Sequence, residues 1–309
     1  MRILFVAFPS SIHSARWINQ VTDQGWELHL VPSVLYPLEP NLRGSVIVHG
    51  SSNAQMADGK RLAIKILDRL PDVRGVNRIR RYLQHLIQGS TSPEGLAAVI
   101  KRVKPDIVHS MEMQKAGYLT LAAKEHLGSR FPTWIMSNWG SDIYVYHRIA
   151  AHQDRVKRVL ANCDYYACEC QRDVTLARQL GLKGKVLPVL PCAGGFTLER
   201  WHPYRQPGPT SKRRIILLKG YQHWVGRALA GLRAIELCAE ALEGYRVEIY
   251  SADPDILPAA ELASKATGIP IDIVPPGSHE DMLRLHGRAR VSVGLSLSDG
   301  IPSTALEAM

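Results

Sequence analysis

Two carboxylates eight positions apart, Asp299 and Glu307, bracket a turn in this 309-residue chain. The turn, Asp299-Gly300-Ile301-Pro302, follows the apolar run 291–297, and a helix pattern opens at Ser303 and Thr304. A strand, a glycine turn and a helix N-terminus present backbone N–H groups and the positive end of a helix dipole, which together suit an anion. Carboxylates beside such a turn suit hydroxyl groups rather than phosphate, and ribose hydroxyls fit. The competing reading is local, because Thr304-Ala305-Leu306-Glu307 also has capping-box spacing. Cations for a diphosphate stand upstream. Lys219 ends the apolar run 214–218, and Arg227 precedes the next helix pattern. The intervening loop could fold both onto one diphosphate. Fixed cations and dipoles of this kind stabilise a developing negative charge. No pair of carboxylates at hydrolase spacing, no Ser/His/Asp order and no metal-ligand cluster can be assigned.

The stretch SLSDGIPSTALEAM, residues 296–309, resembles the carboxylate-x7-carboxylate signature of retaining GT-B glycosyltransferases of family 4 type. Gly300, Pro302, Leu306 and the Glu-Ala-Met ending fall in register, while Asp299 stands where the signature has glutamate. The resemblance implies Lys219, Arg227, Asp299 and Glu307 as catalytic groups. It implies Lys219, Gly220, Gly300, Ile301, Ser303 and Glu307 as the donor nucleotide site. It also implies retention of configuration without a metal or other cofactor, the leaving phosphate itself receiving the acceptor proton.

The first half carries further similarity. The segment SSIHSARWINQVTDQGWELHL resembles the family's first strand–helix unit, whose loop faces the donor diphosphate and the acceptor. Ser11, His13 and Arg16 are its candidates. KPDIVHS, residues 104–110, is similar to a central strand of the same family. In Ser137-Asn138-Trp139-Gly140-Ser141-Asp142 the family commonly has His-Gly-Ser/Thr-Asp. Trp139 replaces that histidine, so no catalytic histidine carries over. Gly140 and Asp142 match, and Trp139 either walls the acceptor pocket or packs. Residues 193–203 resemble the family's domain crossing, with its Asn and Asp missing.

The elements that position these residues follow from periodicity. Residues 2–8 (RILFVAF) read as a buried parallel strand and 27–32 as the second, with Ser14 placed to cap the helix between them and Gly25 to end it. No G-x-G-x-x-G is present. Further strands are expected at 46–48, 107–110, 131–136, 164–170 and 186–190, with helices at 93–101, 116–126, 155–160 and 174–180. The stretch 202–213 holds three prolines, one glycine and, counting His202, four basic residues, the composition of a linker. The pattern then restarts, with strands at 214–218, 245–251, 271–274 and 291–297 and helices at 228–241, 259–267 and 280–287, the last capped by Ser278 with Asp281 three residues on. The restarted pattern makes the expected fold α/β with two Rossmann-like doubly wound domains, and the resemblance implies that they form a GT-B fold facing a cleft. Residues 1–201 form the acceptor domain, 202–213 the linker, and 214–309 a nucleotide-sugar domain that is incomplete at its C-terminus compared with the family.

Composition narrows the partners. The chain is 46% hydrophobic, with no apolar run near the ~20 residues of a membrane span. The N-terminus lacks the pattern of a secretory signal, so a cytoplasmic location is expected. Five cysteines without C-x-x-C spacing read as buried free thiols. The net charge is +10, and eight basic residues against two acidic ones fall between Lys60 and Arg81, on two amphipathic helix patterns. Such helices suit the anionic inner face of a membrane or a polyanionic acceptor, or are a solvated face over a packed stripe. The implied partners are a nucleotide sugar and a glycan or lipid-linked acceptor, with no nucleic acid. Two alternatives stay open: a GT-B nucleotide-sugar 2-epimerase, and a non-catalytic nucleotide-sugar-binding or membrane-docking module.

Overall fold

A computed structural model describes residues 1–50, 91–192, 194–195 and 198–309. The basic segment 60–81 lies outside the described residues. The chain divides into two compact units, Met1–Gly195 and Phe196–Met309.

The first unit opens with β1 (Arg2–Ala7), α1 (Ile12–Gln20), β2 (Glu27–Pro32) and β3 (Ile47–Val48). It continues with α2 (Pro93–Val103), β4 (Ile107–Met111), a π-helical turn (Met113–Gly117) and α3 (Tyr118–Leu127). Then come β5 (Thr133–Ser137), α4 (Ala150–Asn162), β6 (Tyr165–Ala167), α5 (Gln171–Gln179) and β7 (Lys185–Val186). All seven strands pair in parallel, in the order β3-β2-β1-β4-β5-β6-β7.

The apolar run at the N-terminus makes β1 a central strand. Side chains alternate across a strand. Accordingly Leu4 and Val6 enter one core with α2, while Ile3, Phe5 and Ala7 enter a second with Ile18 of α1. Burying Phe5 alone removes enough apolar surface to contribute about 1.5–3 kcal/mol. The chain runs outward from β1 to β3, then returns to β4 on the other side of β1. That places a topological switch point between β1 and β4, where parallel sheets bind ligands beyond their strand C-termini.

The second unit repeats the plan at smaller size. After a helical turn (Leu198–Trp201) come β8 (Ile215–Lys219), α6 (Ala228–Leu237), β9 (Arg246–Tyr250), α7 (Ile256–Thr267), β10 (Ile271–Ile273), α8 (His279–Arg288), β11 (Val291–Val293) and α9 (Ser303–Ala308). The parallel order is β10-β9-β8-β11. Its switch point lies between β8 and β11. Ile216 and Leu218 pack on α6 and α7, and Leu217 packs on the opposite layer with Leu285 of α8. Among the described residues no helix is long and apolar enough to cross a membrane.

Several local expectations need correction. Helix α1 begins a turn early: Ser11 is its cap, accepting from the Ser14 N–H at 3.3 Å, and Ser14 is buried inside the first turn. Strand β11 covers only the first three residues of the expected run 291–297, because it pairs with β8, whose own strand ends at Lys219, and Gly294 follows. The stretch 202–213 contains two short 3-10 turns, His202–Tyr204 and Thr210–Lys212. Tyr204 lies under the Arg284 guanidinium of α8. Cys163, Cys168 and Cys192 are buried, but Cys238 is exposed.

Candidate functional site

Lys219 is the last residue of β8, and the loop carrying Asp299 leaves β11, so both stand at the second unit's switch point. Burial pulls the Lys219 ammonium below its ordinary value, and the charges of Asp299 and Glu307 oppose that pull. Its Nζ lies 4.3 Å from the centre of the Tyr221 ring. The structure thus brings Lys219, Asp299 and Glu307 into one charge environment, a half-buried cation within electrostatic reach of two carboxylates.

The Glu307 side chain is only 7% exposed. Its Oε1 accepts from His279 Nε2 at 2.9 Å, and its Oε2 lies 4.0 Å from His286 Nε2. Helix α9 starts after Pro302, which is the N-cap and makes no side-chain bond. Thr304 is therefore the second helical residue, not the cap, and the capping-box reading of Glu307 fails. The Thr304 side chain is instead hydrogen-bonded to Tyr250, whose hydroxyl burial pushes up to about 12.

The expected backbone anion site is less open. The Gly300 N–H donates to its neighbour's Asp299 Oδ1 at 3.0 Å. The Gly220 N–H donates to the Tyr250 carbonyl at 2.8 Å. Gly220 is a glycine for packing: a Cβ there would stand 2.5 Å from Ala252 Cα. Ile301 and Ser303 are half-buried in the turn and at the start of α9. Arg227 is exposed at the head of α6, and the charges that bear on Lys219 are Asp299 and Glu307.

In the first unit the residues expected on the acceptor side gather beyond β1, β4 and β5. His13 meets Trp139 edge-on, with ring centres 6.1 Å apart. Trp139 also packs on the core layer of Phe5, Ile18 and Met111, and its buried indole N–H has no acceptor among the described residues. A Cβ on Gly194 would stand 2.6 Å from Arg16 Cβ, so the loop at 194 lies directly against α1. Gly140 donates its N–H to Glu169 Oε2 at 3.4 Å and accepts from Arg172 at 3.1 Å.

One oxygen of Asp142 is engaged with backbone. Its Oδ2 accepts from Met113 N–H at 3.0 Å and Trp139 N–H at 2.8 Å. Burial, followed by the nearby Glu112 charge, pushes the Asp142 carboxyl well above its usual range. Its visible work is to pin the 139–142 turn to the π-helical turn after β4.

Three groups escaped the sequence reading. Glu112, at the end of β4, has φ of 82°, a left-handed conformation that costs a non-glycine residue about 1–3 kcal/mol. Its carboxylate caps the π-helical turn through the Gln114, Lys115 and Ala116 N–H groups. No sequence signal marks such a residue. His279 and His286 were legible in principle: seven positions apart, they share one face of α8.

Comparison with known proteins places this geometry. Residues 76–169 match the family model described as glycosyl transferase 4-like. No curated protein matches the chain by sequence. Among solved structures, one described as "Trehalose-6-phosphate from E. coli bound with UDP-2-fluoro glucose" aligns over 100% of this chain and 82% of that one, with TM-score 0.65 and 11% identity. A glycosyltransferase from Rickettsia africae ESF-5 aligns over 99% and 76%, with TM-score 0.54 and 12% identity. A UDP-GlcNAc 2-epimerase from Neisseria meningitidis, bound to UDP-GlcNAc, aligns over 94% and 76%, with TM-score 0.53 and 11% identity. Identities this low speak to fold. The chain has the GT-B Rossmann-like fold, and its segment 76–169 is of the glycosyl transferase 4-like type.

Proposed function

We propose that this protein is a retaining glycosyltransferase that moves a sugar from a nucleotide-sugar donor to a glycan or lipid-linked acceptor. The observation that carries the reading is the grouping of Lys219, Asp299 and Glu307 at the switch point of the second sheet. The glycosyl transferase 4-like segment agrees with it, and two neighbours of the same fold hold UDP-sugar ligands. Lys219 would face the donor diphosphate and stabilise the charge that develops as the sugar departs. Glu307 would accept from the ribose hydroxyls, and Asp299 would hold the turn that shapes the pocket floor. His13 and Trp139 would wall the acceptor side.

The test is a panel of UDP, GDP and ADP sugars with product analysis by NMR. Transfer to an added acceptor with retained anomeric configuration supports the reading. Isomerisation of the donor at C2 would assign the chain to the epimerase class instead. Binding without turnover would leave a nucleotide-sugar-binding module. In parallel, Glu307→Ala should weaken nucleotide binding by roughly 1–3 kcal/mol, the scale of a lost charged hydrogen bond. Unchanged affinity in that titration would remove Glu307 from the site.

A further inference from the structure

We infer that His279 and His286 are positioning residues that aim the Glu307 carboxylate, and that a proton taken up by His286 draws the carboxylate off its ligand. The inference rests on the nucleotide-binding role proposed for Glu307.

The geometry is asymmetric. A carboxylate can only accept, so His279 Nε2 carries hydrogen and donates to Oε1 at 2.9 Å. That bond comes from a residue 28 positions upstream, so it fixes α9 to the head of α8. The second oxygen is treated differently. His286 Nε2 stands 4.0 Å from Oε2, beyond hydrogen-bond reach. That nitrogen is buried and has no hydrogen-bond partner among the described residues, and its side chain is 2% exposed. A buried polar atom left without a partner calls for an explanation. Here the other ring nitrogen, Nδ1, is 3.4 Å from Ser292 Oγ. A lone pair on Nε2 facing a carboxylate would be repelled. The favoured neutral tautomer therefore has N–H on Nε2, with the Ser292 hydroxyl donating to Nδ1. The brace is in place, but it stops about 1 Å short of contact.

In this state Oε1 is held by His279 and Oε2 is left for a ligand hydroxyl. Protonation of His286 adds hydrogen at Nδ1 and makes the ring cationic. The attraction to Glu307 then closes the 4.0 Å gap, and a charge-assisted bond takes up Oε2. The carboxylate would then have both oxygens engaged inside the protein.

The groups around His286 support this sequence of events. Tyr250 of β9 meets the ring edge-on at 5.9 Å and is hydrogen-bonded to Thr304, so it offers no competing charge. Ser292 of β11 is neutral. Glu307 is the anion facing it from α9, with Lys219 of β8 and, through Lys219, Asp299 beyond. His279 is the cation-forming neighbour on its own helix. From the turn His202–Tyr204, Tyr204 faces Arg284 and not His286. Burial holds His286 below its ordinary value and so neutral at pH 7, Glu307 opposing and His279 assisting. The proton therefore arrives only on acidification.

The experiment measures UDP, GDP and ADP affinity by calorimetry from pH 5 to pH 8, for the whole chain and for His286→Gln, His286→Phe and His279→Gln. In the wild type the dissociation constant of the nucleotide that binds should rise up to tenfold per pH unit once His286 protonates. His286→Gln keeps an N–H donor but cannot titrate, so its affinity at pH 7.5 should stay within about threefold of wild type while the acid-side loss disappears. His286→Phe should bind severalfold more weakly than wild type at pH 7.5 and should likewise lack the acid-side loss. His279→Gln should weaken binding and leave the acid-side loss in place. A His286→Gln profile identical in slope to wild type would overturn the inference. An NMR titration of the imidazoles, in wild type and in Glu307→Gln, reads the coupling without any nucleotide. His286 should titrate at lower pH once the carboxylate charge is gone, and an unmoved titration would also overturn the inference. If no nucleotide binds at any pH, the proposed function fails, and the NMR titration alone decides the contact.

Discussion

Asp142 offers the sharpest separation between a structural and a chemical role. It matches a position that the glycosyltransferase resemblance assigns to the acceptor side, yet its carboxylate serves two backbone N–H groups through a single oxygen. Replacing it with alanine leaves both donors buried and unpaired. Each costs about 1–3 kcal/mol, so Asp142→Ala should lose roughly 2–6 kcal/mol. In a unit of this size about 1 kcal/mol moves the melting temperature by about 2–4 °C, giving a drop of roughly 4–24 °C. Asparagine behaves differently. Its amide oxygen can accept both bonds, and it carries no charge to repel Glu112 and Glu169, whose carboxylates push the Asp142 carboxyl upward after burial does.

The pH dependence has a definite sign. A carboxyl whose folded value lies above its unfolded 3.8 stays protonated in the fold while the unfolded chain ionises. Its contribution to stability is complete below pH 3.8 and is lost as pH rises through the folded value. Asp142→Asn mimics the protonated form and should lack that loss, so its advantage over wild type should widen with rising pH. Differential scanning calorimetry across the range, with turnover measured at each pH, checks both parts. If Asp142→Ala melts within about 2 °C of wild type, the pinning argument is wrong. If Asp142→Asn keeps its stability but abolishes turnover, the carboxylate has a chemical role that the backbone contacts do not explain.

Other outcomes follow from single features. Gly194→Ala should destabilise by more than the roughly 1–2 kcal/mol that a left-handed backbone alone costs, because the new Cβ would also meet the Trp17 backbone nitrogen at 2.6 Å; a melting curve equal to wild type would refute this. With a disulfide reagent at pH 8, Cys238 should react first, since burial pushes the Cys163 and Cys168 thiols up to about 12 and leaves almost no thiolate there; fast modification of either buried thiol would contradict the packing. Lys219→Met should weaken nucleotide-diphosphate binding by about 1.5–3 kcal/mol, with wild-type affinity counting against its place in the site. For the basic segment 60–81, we propose contact with an anionic membrane surface; vesicle binding should fall with added salt, and flotation indifferent to lipid charge would remove the idea.

Much of the fold was legible because burial in a parallel sheet leaves a plain mark. Residues 2–7 are buried from Ile3 onward, and the apolar run announced it. Caps written in side chains were legible too. Ser278 with Asp281 forms a complete capping box. Boundaries set by a partner elsewhere in the chain were not. Residues 294–297 carry strand composition, yet β8 ends at Lys219, one residue past its last pairing with β11. Ser11 caps α1 although the apolar pattern starts later, because the first turn is set by the loop leaving β1. Glu112 shows the limit most clearly: its left-handed backbone is sustained by three N–H groups that converge on its own carboxylate, and no local preference foretells that.

Glu307 shows why spacing alone could not choose between a cap and a site. A capping box needs Thr304 to be the residue just outside the helix. The helix instead begins after Pro302, whose extended backbone and missing N–H make it a stop to the preceding turn. That single shift of register moves Thr304 inside the first turn, where its hydroxyl reaches Tyr250, and turns Glu307 toward α8. The carboxylate is then held by a histidine from another helix and shares a charge environment with Lys219 from the end of β8. Three segments far apart in sequence converge there because the order β10-β9-β8-β11 sets the ends of β8 and β11 side by side. The sequence names Lys219, Asp299 and Glu307, and the switch in strand order explains why those three meet while the histidines that hold Glu307 went unread.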